Sequence, residues 1–373
     1  MELRHGLISV DDQVQEHPRV WTDRMSASRW GDRIPHVERL SDGTDRWVID
    51  GQPAGADGVA SAGALLADRA STPGTWQDVP AAAYLAEERL RAMDADGVDY
   101  SVLYPTVAGE AGDVFGQLND PELELACVRA YNDFLIEEWS TKNNRFIPQC
   151  IVPISPVEAT VAEIRRAVGQ GHRGVIYPAI PMHLRDVPHV NDDAYDPVWD
   201  VCQSLGVPIC LHAGSSPKTR LPLHPKVSAR LTGAIEAMTG PASGVFDVTN
   251  VLFSRILQRF PQLKVVFAGS TLGWATFLLE YADHQFEQDH CEGYDLKPSE
   301  MFRRQCLFTG WYDSVAPQIP FVGATSMMWA TKFPATTSTW PETRAVIGRC
   351  FEGVGEADRA QVLWKNAADL YRL

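Results

Sequence analysis

Three side chains able to move protons or hold charge stand where apolar runs of strand length stop. Lys332 closes Met327-Met328-Trp329-Ala330-Thr331 just ahead of Phe333-Pro334, His212 closes Val207-Pro208-Ile209-Cys210-Leu211, and Asp11 follows the run ending at Val10, with Gln13 two residues on. A buried parallel strand that ends at one polar residue delivers that side chain to a pocket. Placed there, a lysine anchors an anion, donates a proton or attacks a carbonyl; a histidine moves protons; an aspartate orients or charges its neighbour. The chemistry that Lys332, His212 and Asp11 share is acid/base and cation stabilisation acting on a small carboxylated or carbonyl-containing molecule. The competing reading of the same residues is a buried Lys-Asp pair that satisfies only itself, and buried ion pairs are weak evidence of added stability.

These positions need a frame, and the chain supplies a repeating one. Strands are expected at Gly6 to Val10, Tyr100 to Tyr104, Phe146 to Val152, Gly174 to Tyr177, Val207 to Leu211, Lys264 to Ala268, Cys306 to Thr309 and Ser326 to Ala330. Most alternate with helical stretches: Ala81 to Asp94, Asn119 to Trp139, Pro156 to Gly169, Asp196 to Leu205, Ser243 to Phe260 and Leu272 to Asp289, with Pro341 to Cys350 and Glu356 to Tyr371 at the end. Strand and helix in alternation call for a parallel sheet, and eight such units for closure into a (β/α)8 barrel, the TIM-barrel architecture. No glycine-rich GxGxxG turn follows the first strand, which argues against a dinucleotide fold.

In a barrel the chemistry gathers at the C-terminal ends of the strands. That rule selects Asp11, Gln13, Tyr104, Tyr177, His212, Gly269, Trp311, Tyr312 and Lys332. Gln13, Tyr104, Tyr177, Trp311, Tyr312 and Trp329 are the expected substrate-binding wall, the aromatic members suiting a flat molecule. Lys218 and Arg220, beyond His212, read as a solvated loop. One domain is expected over residues 1–373, with residues 14–79, a Gly/Pro/Asp/Ser-rich insertion after the first strand carrying a possible hairpin near Arg46 to Pro53, as lid or pocket wall.

Composition removes whole classes of partner. A net charge of -15 leaves no basic face for nucleic acid or for an anionic membrane surface. No segment is apolar enough to span a bilayer and the first residues lack a signal-like run, so a cytoplasmic protein is expected. Seven cysteines without a CxxC pair suggest neither a disulfide framework nor a thiolate zinc site.

The motifs Ser9-Val10-Asp11-Asp12-Gln13-Val14, Leu211-His212-Ala213-Gly214, Phe267-Ala268-Gly269-Ser270-Thr271-Leu272-Gly273-Trp274, Trp329-Ala330-Thr331-Lys332-Phe333-Pro334 and Asn366-Ala367-Ala368-Asp369-Leu370-Tyr371 together resemble amidohydrolase family 2. That branch includes aminocarboxymuconate-semialdehyde decarboxylase and the phenolic-acid decarboxylases. The resemblance covers nearly the whole chain. It implies a barrel with a divalent metal, zinc or manganese, held by an acidic residue or His and a second His at the end of strand one, a His after strand five and an Asp after strand eight. It also implies a homodimer. Asp11 and His212 match this pattern; Gln13 stands at the second His, Lys332 at the Asp, and Gly269 where a catalytic His or Glu is usual. An ammonium repels a divalent ion, and one carboxylate with one imidazole falls short of three ligands. The expectation is therefore a degenerate metal site (Asp11, Gln13, His212, Lys332) and no cofactor, with Lys332 in the ion's place. The reaction expected is of lyase, decarboxylase, cyclase or isomerase type. Two alternatives stay open: a metal-dependent decarboxylase or hydrolase of the same family, and a catalytically inactive binding or scaffold paralogue.

Overall fold

The computed structural model describes residues 1–54, 59–219, 221–222 and 224–373; Arg220 lies outside them. Eleven strands are present among the described residues: β1 Ile8–Gln13, β2 His36–Arg39, β3 Asp45–Ile49, β4 Gln52–Ala54, β5 Tyr100–Tyr104, β6 Phe146–Ile151, β7 Gly174–Ile176, β8 Ile209–His212, β9 Val265–Ala268, β10 Cys306–Gly310 and β11 Met327–Trp329. Eight of them form one parallel sheet in the order β1-β5-β6-β7-β8-β9-β10-β11. Its two ends meet: Gln13 N donates to Phe333 O at 2.8 Å, and Thr331 N to Ser9 Oγ at 2.8 Å. The sheet thus curls into the expected (β/α)8 barrel. Its strands are buried on both faces, which is why they read as unbroken apolar runs.

Local signals set the helices that hold the strands apart. Asp120 caps the helix Pro121–Leu135 by accepting from Glu122 N and Leu123 N at 3.0 and 3.2 Å, with proline at the first helical position. Gly97 and Gly206, at φ 73° and 62°, end the helices Ala86–Asp96 and Asp196–Leu205 in the left-handed conformation that glycine adopts without steric cost.

The segment between β1 and β5 carries an antiparallel sheet of β2, β3 and β4. It is tied to the barrel's C-terminal end: Ser61 N donates to Gln15 Oε1 at 2.9 Å and Ala64 N to Pro334 O at 3.0 Å. No helix among the described residues is long and apolar enough to cross a membrane.

Three local expectations are corrected. Strand one runs to Gln13, so Asp11 and Gln13 lie within it. The stretch expected as one helix from Ser243 to Phe260 is two, Gly244–Leu252 and Ile256–Arg259, parted where Arg255 takes φ 64°. Ahead of it runs an unforeseen helix, Ala229–Ala242, on which Leu231 and Met238 are exposed.

Candidate active site

At the C-terminal end of the barrel, β1 and β8 and the end of the β11 strand converge on one buried cluster. Lys332 Nζ lies 3.0 Å from Asp11 Oδ2 and 3.3 Å from His212 Nε2. Asp11 Oδ2 also accepts from Gly269 N at 2.8 Å. Asp11 Oδ1 stands 3.4 Å from His212 Nε2 and has no hydrogen-bond partner among the described residues. Lys332 follows β11 with φ 56°, an unusual backbone for a lysine, and its ammonium sits 5.2 Å from the centre of the Trp311 ring. Tyr104 places its ring 5.7 Å from that of His212.

One member was not foreseen. Glu110, on the loop after β5, accepts from Gln13 Nε2 at 2.6 Å and stands 3.0 Å from His212 Nδ1. Its signal in the sequence was an acid between Gly109 and Gly112 beyond a barrel strand's C-terminal end. The glycine after β9 also acquires a reason. A Cβ on Gly269 would come within 2.4 Å of His212 Cε1, and its φ is 62°. The missing side chain is the space the imidazole occupies.

The charges in the cluster hold one another in place. Burial, the largest influence on Asp11, raises its affinity for a proton, yet Lys332 and His212 outweigh it and keep the carboxyl well below the usual carboxylate range. Burial likewise favours neutral Lys332, but Asp11 and then Glu110 push the ammonium's pKa above its ordinary value. For His212, burial and the nearby ammonium pull down while Glu110 and Asp11 push up, and the carboxylates prevail, raising it to about 10. Glu110, which burial would raise, is lowered to about 2 by His212 and Lys332.

The proton positions on His212 follow from its partners. Nδ1 faces two acceptors, Ala213 O at 2.7 Å and Glu110 Oε2 at 3.0 Å, and so carries hydrogen in either charge state. Nε2 faces a donor, Lys332 Nζ, and an acceptor, Asp11 Oδ1, and is where a proton comes and goes. When the imidazole is neutral, Lys332 donates to Nε2; when it is charged, Nε2 donates toward the otherwise unused Asp11 Oδ1.

The expected substrate wall is brought together only in part. Gln13, Tyr104 and Trp311 surround the cluster. Tyr177 is directed away from it, its ring packed on Tyr195 and Trp199 at centroid distances of 6.4 and 5.9 Å. Trp329 is fully buried against Phe351, at 5.0 Å, and Tyr312 is 55 % exposed on the surface. The strand-end rule fixes the height of a residue along the barrel, whereas alternate residues face opposite sides of a strand.

A family model described as amidohydrolase matches residues 43–373. Gamma-resorcylate decarboxylase of Polaromonas sp. (strain JS666) is 24 % identical over 323 residues, covering 78 % of this chain and 88 % of that protein. An amidohydrolase from Mycobacterium avium subsp. paratuberculosis shares the fold at TM-score 0.74 and 19 % identity, over 99 % of this chain and 100 % of its own. A dihydroxybenzoic acid decarboxylase from Polaromonas sp. JS666 does so at TM-score 0.67 and 18 % identity, over 99 % and 97 %; that structure contains manganese and the inhibitor 2-nitroresorcinol.

The manganese overturns the expectation of no cofactor, because relatives of this fold point to a divalent metal instead. The donor set placed here does not match such an ion. Asp11 Oδ2 and His212 Nε2 both address the Lys332 ammonium, Glu110 addresses the opposite nitrogen of the imidazole, and Gln13 gives its Nε2 to Glu110 while its Oε1 has no hydrogen-bond partner among the described residues. Among the described residues no group of three or more His, Cys, Asp or Glu is arranged to hold a metal.

Proposed function

We propose, for a chain that belongs to the amidohydrolase family, that it is a decarboxylase of a small, flat carboxylate bearing a ring hydroxyl, with Lys332 and His212 as its acid/base pair. The observation that carries this reading is the contact of Lys332 with both Asp11 and His212: a fixed cation joined to a proton-carrying imidazole, all three side chains buried. The named relatives, decarboxylases of hydroxylated benzoates, support the substrate class.

The reaction breaks one carbon–carbon bond. The electron pair of the ring–carboxylate bond passes to the ring carbon, carbon dioxide leaves, and the ring carbon takes a proton. The charged His212 supplies that proton from Nε2, Lys332 then donates a hydrogen bond to the neutral Nε2, and Asp11 balances the charge that moves between them. A cation fixed in a low-dielectric site stabilises the electron-rich ring more than water does. Tyr104 and Trp311 flank the flat substrate, and the 14–79 segment covers it. These steps are those of the chain's own side chains.

Carbon dioxide release from 2,6-dihydroxybenzoate and salicylate, measured with manganese supplied and again after chelation, tests the reading. Release that falls away in Lys332→Met, while cooperative unfolding is retained, supports it. Hydrolysis of an amide or ester analogue without carbon dioxide release would replace it with the hydrolase alternative.

A further inference from the structure

The cluster holds a carboxylate of the chain's own making. Glu110 Oε1 accepts from Gln13 Nε2 at 2.6 Å, and its Oε2 pairs with the His212 imidazole, 3.0 Å from the Nδ1 that is hydrogen-bonded to Ala213 O at 2.7 Å. This is a fork, one oxygen on an amide donor and the other on the imidazole charge, and two-point contact grips a planar anion with orientation as well as strength. The two donors are deeply buried, each residue 2 % exposed, whereas the Glu110 side chain is 42 % exposed. The anion therefore comes in from the solvent side onto a built receptor, with the Lys332 charge behind it.

The loop that carries Glu110 is a separate small unit. Gly109 N donates to Thr106 O at 3.1 Å and Gly112 N to Gly109 O at 2.9 Å, with Gly109 and Gly112 at φ 83° and 73°. The carboxylate thus hangs from a tight turn between two glycines in backbone regions that other residues rarely adopt. Among the described residues it has no hydrogen bond or ion pair besides those with Gln13 and His212. Nothing else in the chain requires it to stay.

We propose that Gln13 Nε2 and His212 Nδ1 form the subsite for the substrate's carboxylate, and that Glu110 is its resident competitor, displaced when substrate enters. The inference rests on the decarboxylase reading only in taking the ligand to be a carboxylate. It assigns Gln13 a binding role that a second metal-ligating histidine in its place would not have. It also puts the breaking bond beside the His212 imidazole, which delivers the proton.

A tethered competitor lowers apparent affinity by the fraction of time it occupies the fork, so its removal tightens carboxylate binding by about tenfold when the open form is about a tenth of the population. Benzoate titrated calorimetrically against the full chain tests this, with resorcinol as the carboxylate-free control. Glu110→Ala should tighten benzoate and leave resorcinol unchanged, and adding Gln13→Leu should abolish the gain. Loss of one negative charge would favour any anion without help from an amide, so a gain that survives Gln13→Leu overturns the fork. Unchanged or weaker benzoate binding in a cooperatively folded Glu110→Ala protein overturns it too. The readout needs no turnover: a fork confirmed in a protein that releases no carbon dioxide condemns the decarboxylase reading alone, and an active decarboxylase with no gain in Glu110→Ala condemns the fork alone.

Discussion

Asp11 and Asp12 are neighbours on one strand, equally buried and chemically identical, yet they are used in opposite ways. Asp12 is saturated by neutral donors: Ser9 Oγ and Thr331 Oγ1 at 2.7 Å, Ser101 Oγ at 2.6 Å and Phe333 N at 3.2 Å. Those donors come from β1, β5 and the end of β11, so this carboxylate stitches the barrel's closing seam. Asp11 has one oxygen on Lys332 and Gly269 and the other without a hydrogen bond, aimed at an imidazole that trades protons. A β-bulge between Ser9 and Asp12 lets consecutive residues serve the two purposes. Their acidities part accordingly. Burial raises the Asp12 pKa in spite of its hydrogen bonds, while the cations around Asp11 hold that group low. The difference lies in the hydrogen-bond shell: it is filled around Asp12, and around Asp11 it leaves one oxygen open beside the imidazole, as the proposed acid/base role of Asp11 requires.

The largest effect that would sharpen this contrast is on turnover. Lys332→Met should lower carbon dioxide release by about a thousandfold, the scale on which loss of a preorganised charge acts, with far-ultraviolet circular dichroism unchanged. Asp12→Ala should act on stability instead, costing about 3 kcal/mol in urea unfolding because four buried donors lose their acceptor. If Asp12→Ala unfolds like the native chain, the seam is not where Asp12 acts. Gly269→Ala should cost about 1–3 kcal/mol and displace the imidazole, since its φ is strained for alanine and the new methyl enters the space of His212. The test is the proton exchange of the His212 ring by NMR, expected to speed up.

The smallest effect is one of pH. His212 has its folded pKa raised to about 10, above its ordinary 6.5. A raised value means that the stability it contributes is fully present below pH 6.5 and is lost as pH rises through 10. The unfolding free energies of the native chain and His212→Gln should therefore converge as pH rises from 6 to 10. A gap that widens instead would mean the imidazole is held neutral.

Much of this architecture was legible because a parallel strand buried on both faces leaves a continuous apolar run, and eight such runs alternating with helices leave one main way to close. The strand ends then exposed Asp11, Gln13, His212 and Lys332. Glu110 escaped because a turn such as Gly109-Glu110-Ala111-Gly112 has no periodicity to read, and Asp12 because its donors lie 3 to 321 positions away in sequence. Tyr177, Tyr312 and Trp329 were misjudged for want of direction rather than height. The cofactor expectation failed differently. It was drawn from charges at four positions, and the manganese of relatives carries information that those charges do not.

The most direct test sets the two aspartate environments against each other in one assay: carbon dioxide release from 2,6-dihydroxybenzoate by the native chain, Asp11→Asn and Asp12→Asn, below their melting temperatures and with manganese present. The account predicts that Asp11→Asn loses turnover by about a hundredfold or more while Asp12→Asn keeps it within about threefold, melting earlier. Equal turnover in the native chain and Asp11→Asn would contradict it.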